Sequence, residues 1–575
     1  MLPALLLLIS CTPSVPAGAA ILTLDPDAVR HPTGRLIGWN LGSGTRYAPV
    51  DDRSHPEWRT DVRQRAIAEL ATIRSEADPP LMRFSGRQID GLNGQDGYHF
   101  LDFAHPETEP AATDSMAVHQ YMALIDEVGA DPLVTLNFGS GTVSEATSYA
   151  RYLNSDDLTD DEAAFRTFWG QSRPYDQPVF EIGNEPYGAW NTGFTSTGPF
   201  SYANPSADHG GDPDWHDRPA ESAADAALRG IAYMDAVTAV SPDARFWWPI
   251  SRADFTGWGG PTAAVSQLAP LLEDPRVEAV AIHHYQVDDT AALGVTATNA
   301  MSIAVGGSTF LEPGYHLLQD ELATLNRSEP MQIAVSEFGV AGYFASSDFR
   351  LGHTAAMGLG TADMLIAFAN WGVSHSTQQI ALSFDDTDSD PLLEDWYHPY
   401  RFDDEGEIFE LPIARVTRLF GDFMLPAVLD QSWDNNDDIR AGDGSEESPL
   451  FFYKTVHVAA FASEDGNRIS LVLLNRDTDE VVVPCPDDAE DGCQPEIDPG
   501  NRPVRVELPG DWVLVKHARW APRQWNYNVH YQDQELEDPR DPNVPIDDAF
   551  LRHNGHTLDV DLGPNSVVGV LLERN

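Results

Sequence analysis

V-F-E-I-G-N-E-P at 179–186 is a short apolar run that stops at the turn-forming residues Gly183, Asn184 and Pro186, with Glu185 just past its end. The pattern returns in I-A-V-S-E-F-G-V at 333–340, where Glu337 closes a second such run. Both runs read as buried strands. Acids are costly to bury without a partner, so two at the ends of separate core strands point to a site that works with a pair of carboxylates. The alternative, two ordinary surface acids, stays open in a chain with 90 Asp and Glu.

Working outward, short apolar runs alternate with longer helical patterns between residues 35 and 425. Strands are expected at Leu81–Phe84, Leu133–Asn137, Val179–Ile182, Phe246–Pro249, Val280–His284 and Ile333–Ser336, with helices over Asp61–Ser75, Thr113–Val128, Ala220–Val240 and Met357–Ala369. That rhythm predicts parallel strands with covering helices, and its length suits a (β/α)8 TIM barrel with insertions. A doubly wound nucleotide-binding sheet would need a phosphate-binding fingerprint, and the Gly-rich G-S-G-T at 42–45 and 139–142 does not continue as one. From 426 to 575 the texture changes to strand-like runs split by Asp, Gly, Asn and Pro, such as R-I-S-L-V-L-L-N at 468–475 and W-V-L-V-K-H at 512–517. These predict an antiparallel β-sandwich. Residues 20–34 are expected to return to it as an extra N-terminal strand.

At 575 residues the chain exceeds one ordinary core. Its formal charge of −55 repels nucleic acid and anionic bilayers, whereas a neutral carbohydrate meets no such field. The acidity also fits a protein kept soluble at high salt. Residues 1–19 open on M-L-P-A-L-L-L-L-I-S-C, an apolar segment too short to span a bilayer and without a basic start. Leu8-Ile9-Ser10 before Cys11 resembles a bacterial lipoprotein signal, which predicts an exported protein with a lipid anchor at Cys11. Plain secretion or a periplasmic location, with cleavage near Ala19-Ala20, is the alternative. Cys485 and Cys493 are a candidate disulfide in such an exported chain.

In a barrel, residues at the C-terminal strand ends meet at one mouth, and Glu185 on strand 4 and Glu337 on strand 7 would face each other there. Paired carboxyls of this kind are what glycoside hydrolysis needs, one as proton donor and one as nucleophile or base. Asn184 would donate to a substrate hydroxyl or to the nucleophile, or simply serve the turn. Arg83, a charge inside L-M-R-F-S-G, calls for a buried partner and finds one in the two glutamates, with a structural ion pair elsewhere as the alternative. Asn137 would bind a hydroxyl or tie down its own loop. Alternation along V-A-I-H-H-Y turns only one of His283 and His284 inward, and Tyr285 is placed to reach the nucleophile. Trp371, read as the end of strand 8, is a candidate sugar platform with core packing as its alternative. Tyr187, Trp190 and Phe338 are lesser candidates for that role. H-H-Y has no third ligand at metal spacing, and no serine lies in G-x-S-x-G.

These residues carry a resemblance. L-M-R-F-S-G at 81–86, the stretch from Leu136 to Asn154, I-G-N-E-P-Y-G-A-W at 182–190, V-S-E-F at 335–338 and the closing S-V-V-G-V-L-L at 566–572 are similar to clan A retaining glycoside hydrolases, and most similar to the family 51 α-L-arabinofuranosidases. The resemblance implies a barrel plus sandwich and a double-displacement mechanism without cofactor or metal. Glu185 corresponds to the acid/base and Glu337 to the nucleophile. Asn184 corresponds to the residue that recognises the sugar 2-hydroxyl, Tyr285 to the tyrosine on the nucleophile, and Arg83 to the strand-2 arginine. The implied substrate is a neutral plant or algal polysaccharide or oligosaccharide. Three departures stand out: Pro186-Tyr187 after the N-E pair, Phe338 after the nucleophile, and W-N-L-G-S-G at 39–44 without the family's substrate-binding acid. They leave open other clan A hydrolases, agarase-, xylosidase- or glucuronidase-like, and a non-catalytic glycan-binding lipoprotein.

Overall fold

The computed structural model describes residues 19–42, 60–75, 78–85, 117–187, 195–196, 221–250, 260–289, 300–340, 355–379, 400–402, 408–441, 451–477, 502–521, 551–563 and 566–575. Cys11, Trp190, Cys485 and Cys493 lie outside these residues.

Eight parallel strands close into a barrel. In chain order, barrel strands 1 to 8 are Gly38–Gly42, Leu81–Ser85, Asp131–Leu136, Val179–Ile182, Arg245–Pro249, Val277–Tyr285, Gln332–Gly339 and His375–Gln379. The six strands expected from apolar runs are present as strands 2 to 7. Strands 1 and 8 are the ones that composition hides. H-S-T-Q-Q reads as polar because its buried side chains find partners inside the protein: Ser376 Oγ donates to the Leu36 carbonyl at 2.7 Å, and Thr377 Oγ1 to that of Ser336.

Trp371 therefore needs a correction. It is the last residue of the helix Ala355–Trp371 and precedes strand 8 instead of ending it. Gly372, at φ 79°, leaves the helix in the left-handed region, and the Val373 N–H returns to the Phe368 carbonyl at 3.0 Å. The helix is buried on nearly every side, between barrel and sandwich, so its sequence lacks the polar stripe that would have marked it as a helix to the end. Trp371 stacks on Tyr315 with ring centroids 5.0 Å apart and is a core residue.

The second unit is a nine-stranded sheet curled around its own core of Leu22, Leu471, Val506, Trp512, Val560 and Leu572. The N-terminal strand Ala20–Pro32 joins it, pairing with Ala427–Asp434 on one side and Arg502–Glu507 on the other. The expectation of a wholly antiparallel sandwich is amended here. The pairing with Ala427–Asp434 is antiparallel, but that with Arg502–Glu507 is parallel, Ile21 lying opposite Arg505. A parallel neighbour demands a long crossover, and the whole barrel lies between these two strands. Among the described residues, no helix is long and apolar enough to cross a membrane.

Candidate active site

The barrel interior has an apolar floor of Leu81, Leu133, Trp247, Ala279, Ala281 and Ala334. Above it, toward the C-terminal strand ends, the inward positions become polar. Neighbouring strands set Gln379, Asn40 and Arg83 side by side, on strands 8, 1 and 2.

Glu337 reaches the interior because strand 7 breaks register. Ala334 lies opposite Ala281 and Val335 opposite Ile282, but Glu337 lies opposite His283, with Ser336 skipped. In an unbroken strand Glu337 would share the outward face of Val335. The bulge turns it inward, a use that bulges commonly serve. On strand 4 the corresponding device is backbone conformation. Gly183 and Glu185 both have positive φ, 83° and 52°, and for a non-glycine residue this costs on the order of 1 kcal/mol.

Arg83 ties the two acidic strand ends into one network. It is fully buried, and its Nε donates to Glu181 Oε2 at 2.6 Å, its Nη1 to Glu337 Oε2 at 3.1 Å and its Nη2 to Asn184 Oδ1 at 2.9 Å. Burial opposes the guanidinium charge, but Glu181, Glu337 and Glu185 together outweigh it, so the pKa of Arg83 is raised. Glu181, equally buried, also accepts from Thr135 Oγ1 at 2.8 Å.

His283 stands between the two strand-end acids. Its Nδ1 is 2.8 Å from Glu185 Oε1 and 3.6 Å from Glu337 Oε2. Arg83 Nη2 faces Nε2 at 3.4 Å, and because a guanidinium only donates, Nε2 is the acceptor of the ring. In the neutral ring the proton then sits on Nδ1, which donates to Glu185 Oε1. Laid end to end, the two Nδ1 contacts of 2.8 and 3.6 Å keep Glu185 Oε1 and Glu337 Oε2 within 6.4 Å of each other. The Tyr285 hydroxyl donates to Glu337 Oε1.

Of the other candidates, Asn184 joins the cluster through Arg83. Asn137 binds its own loop, Oδ1 accepting from the Ser140 and Gly141 amides at 3.0 and 2.9 Å and Nδ2 donating to Ser140 Oγ at 2.9 Å. His284 points away from the mouth and packs edge-on against Phe368, as alternation requires. Phe338 also meets Phe368, at 5.2 Å, and Tyr187 is buried, so neither offers an open face. Three participants escaped the reading of the sequence: Glu181, Asn40 and Gln379. Glu181 did carry a signal, an acid in the middle of V-F-E-I, of the same kind that singled out Arg83.

No family model matches the chain. Part of its sequence is similar to curated arabinofuranosidases. It is 28% identical over 185 residues to the probable alpha-L-arabinofuranosidase C of Aspergillus flavus, covering 29% of this chain and 35% of that protein. It is 29% identical over 142 residues to an intracellular exo-alpha-L-arabinofuranosidase of Bacteroides ovatus, covering 23% of this chain and 25% of the relative. The chain thus spans about a third or less of the length of these relatives. Whole-chain likeness comes from solved structures. A family 51 alpha-L-arabinofuranosidase from Bifidobacterium longum superposes with a TM-score of 0.69 at 14% identity, over 97% of this chain and 100% of that one. The GH51 arabinofuranosidase from Xanthomonas axonopodis pv. citri gives 0.68 at 16% identity, over 96% and 100%. The chain shares their fold, a barrel joined to a sandwich.

Proposed function

We propose that this protein is a retaining glycoside hydrolase of the α-L-arabinofuranosidase kind, acting on a neutral plant or algal glycan, with Glu337 as nucleophile and Glu185 as acid/base. The observation that carries the reading is the approach of both carboxyls to one ring, His283, at the barrel mouth. Glu337 faces the Arg83 guanidinium, the Asn40 amide and the Tyr285 hydroxyl, donors that suit a charged nucleophile. Glu185 Oε1 lies 2.8 Å from Nδ1 of His283, a neighbour without the fixed charge of a guanidinium.

In the first step Glu337 attacks the anomeric carbon, forming a C–O bond as the glycosidic C–O bond breaks, and Glu185 passes its carboxyl proton to the leaving oxygen. A glycosyl ester on Glu337 results. Glu337 is then neutral and no longer disfavours charge on Glu185, which therefore rests as the carboxylate that receives a proton from the water cleaving the ester. Water's oxygen goes to the sugar, its proton to Glu185, and Glu337 leaves as carboxylate. Arg83, tied to Glu181 on its far side, holds Glu337 in line and fixes Asn184 through its Oδ1.

The test is turnover of a panel of aryl glycosides, arabinofuranosides among them, and of plant and algal polysaccharides, with the first-formed product followed by NMR. An arabinofuranoside hydrolysed with retained configuration is the expected result. Inversion would overturn the double displacement, and turnover confined to another glycan would overturn the sugar assignment.

A further inference from the structure

Asn40 lies on barrel strand 1 with no part of its side chain open to solvent. Its Nδ2 donates to Glu337 Oε2 at 3.3 Å and also to Gln379 Oε1 on strand 8. An amide NH2 has two protons, so both bonds form together, and the second fixes the plane from which the first is made. The strand registry explains the reach: Asn40 pairs with Arg83 on one side and Gln379 on the other, so the three side chains share the interior face that Glu337 also enters.

The two oxygens of Glu337 are consequently unlike. Oε2 accepts from Arg83 Nη1 at 3.1 Å and from Asn40, with His283 Nδ1 at 3.6 Å. Oε1 accepts from the Tyr285 hydroxyl. We propose that Asn40, braced by Gln379, is a positioning residue that pins Oε2 and thereby leaves Oε1 as the oxygen that attacks the sugar. The assignment rests on the reading of Glu337 as nucleophile. An oxygen held by a cation and an amide has its lone pairs engaged and its charge neutralised, whereas Oε1 has one neutral donor to loosen as its charge passes into the new bond. A neutral amide suits this post. A carboxylate at the same point would bring a like charge within about 3–4 Å of Glu337, and an alkyl side chain would surrender the bond.

The experiment uses the full chain and a 2-deoxy-2-fluoro glycosyl donor with a dinitrophenolate leaving group, of the sugar that the wild type turns over. Such a donor traps the glycosyl-enzyme and needs no acid assistance, so its inactivation rate against pH reports the nucleophile alone. Asn40→Ala is expected to slow trapping roughly tenfold or more and to move the acidic limb up by about one pH unit, the worth of one hydrogen bond to a charged group. Asn40→Asp should move the limb further, since it adds a like charge. Gln379→Ala, which leaves Asn40 in place but unbraced, should shift it in the same direction by less, and it decides the matter if the Asn40 variants do not fold. Unchanged trapping rates and limbs, with only the melting temperature lowered, would make Asn40 a packing residue and overturn the proposal. A wild type that turns over its substrate yet is never labelled would instead overturn the double displacement itself.

Discussion

Arg83 and Glu181 form an ion pair at 2.6 Å in which neither side chain is exposed. It lies just under the mouth of the barrel, with Arg83 reaching on to Glu337. The pair gives the site a fixed cation whose counter-charge is shared between a structural acid and the proposed nucleophile. Buried pairs are poor sources of stability, but breaking one leaves an uncompensated charge.

Arg83→Met should therefore do two separable things. Glu181 would be left buried and unpaired, at a cost of about 3–5 kcal/mol in urea unfolding. Glu337 would lose its cation, so the acidic limb of kcat/KM should move to higher pH. The double variant Arg83→Met with Glu181→Gln is expected to recover stability without restoring the limb. A limb that stays in place in both variants would confine Arg83 to a structural role.

The roles of the two mouth acids are separable by azide. Glu337→Ala should abolish turnover, and azide should return it as a glycosyl azide of inverted configuration. Glu185→Ala should be impaired most on poor leaving groups and be rescued by azide with retention. Near-native turnover by Glu337→Ala would remove it as nucleophile.

A second buried cluster joins barrel to sandwich and gives a pH dependence. Asp363, fully buried on the helix Ala355–Trp371, accepts from Arg476 Nε at 2.7 Å and from Gln286 Nε2 at 3.0 Å and meets His457 Nδ1 at 2.8 Å. Burial pushes its carboxyl up, but Arg476, His457 and Ser308 outweigh that and hold it at about 2. Burial, followed by Arg476, lowers His457. Both folded values are depressed, so both contributions are intact above the unfolded pKa values and are lost on acidification. His457 begins to weaken the fold below pH ~6.5, and Asp363 between ~3.9 and about 2, the latter contributing roughly 2 kcal/mol. Asp363→Asn should lower stability at pH 7 and flatten its fall between pH 4 and 2. Equal acid slopes for variant and wild type would show that other groups govern the transition.

Export is tested at the N-terminus. If Cys11 is acylated, mass spectrometry of the mature protein should find a lipid-modified terminal cysteine, and Cys11→Ser should release the protein from membranes with activity intact. An unmodified terminus near Ile21 would replace anchoring with plain secretion.

By itself the sequence determined the architecture. Buried parallel strands must be apolar runs, covering helices must alternate with them, and an acid or a cation inside such a run must have a partner. Strands 2 to 7, the change of texture after 425 and the return of residues 20–34 to the second unit were all legible on that basis, as was the rule that only one of His283 and His284 faces inward, though not which. Only the tertiary structure decided where each group sits. Strand 8 was hidden because its hydroxyl and amide side chains are satisfied by the neighbouring segments, and Trp371 was assigned to it because a helix buried on nearly every side has no polar face to mark its length. The bulge that turns Glu337 inward leaves no trace in composition, since register is a property of two strands together. For the same reason Asn40, an unremarkable amide in W-N-L-G, lies within reach of Glu337 only because barrel closure brings strands 1 and 7 to either side of strand 8.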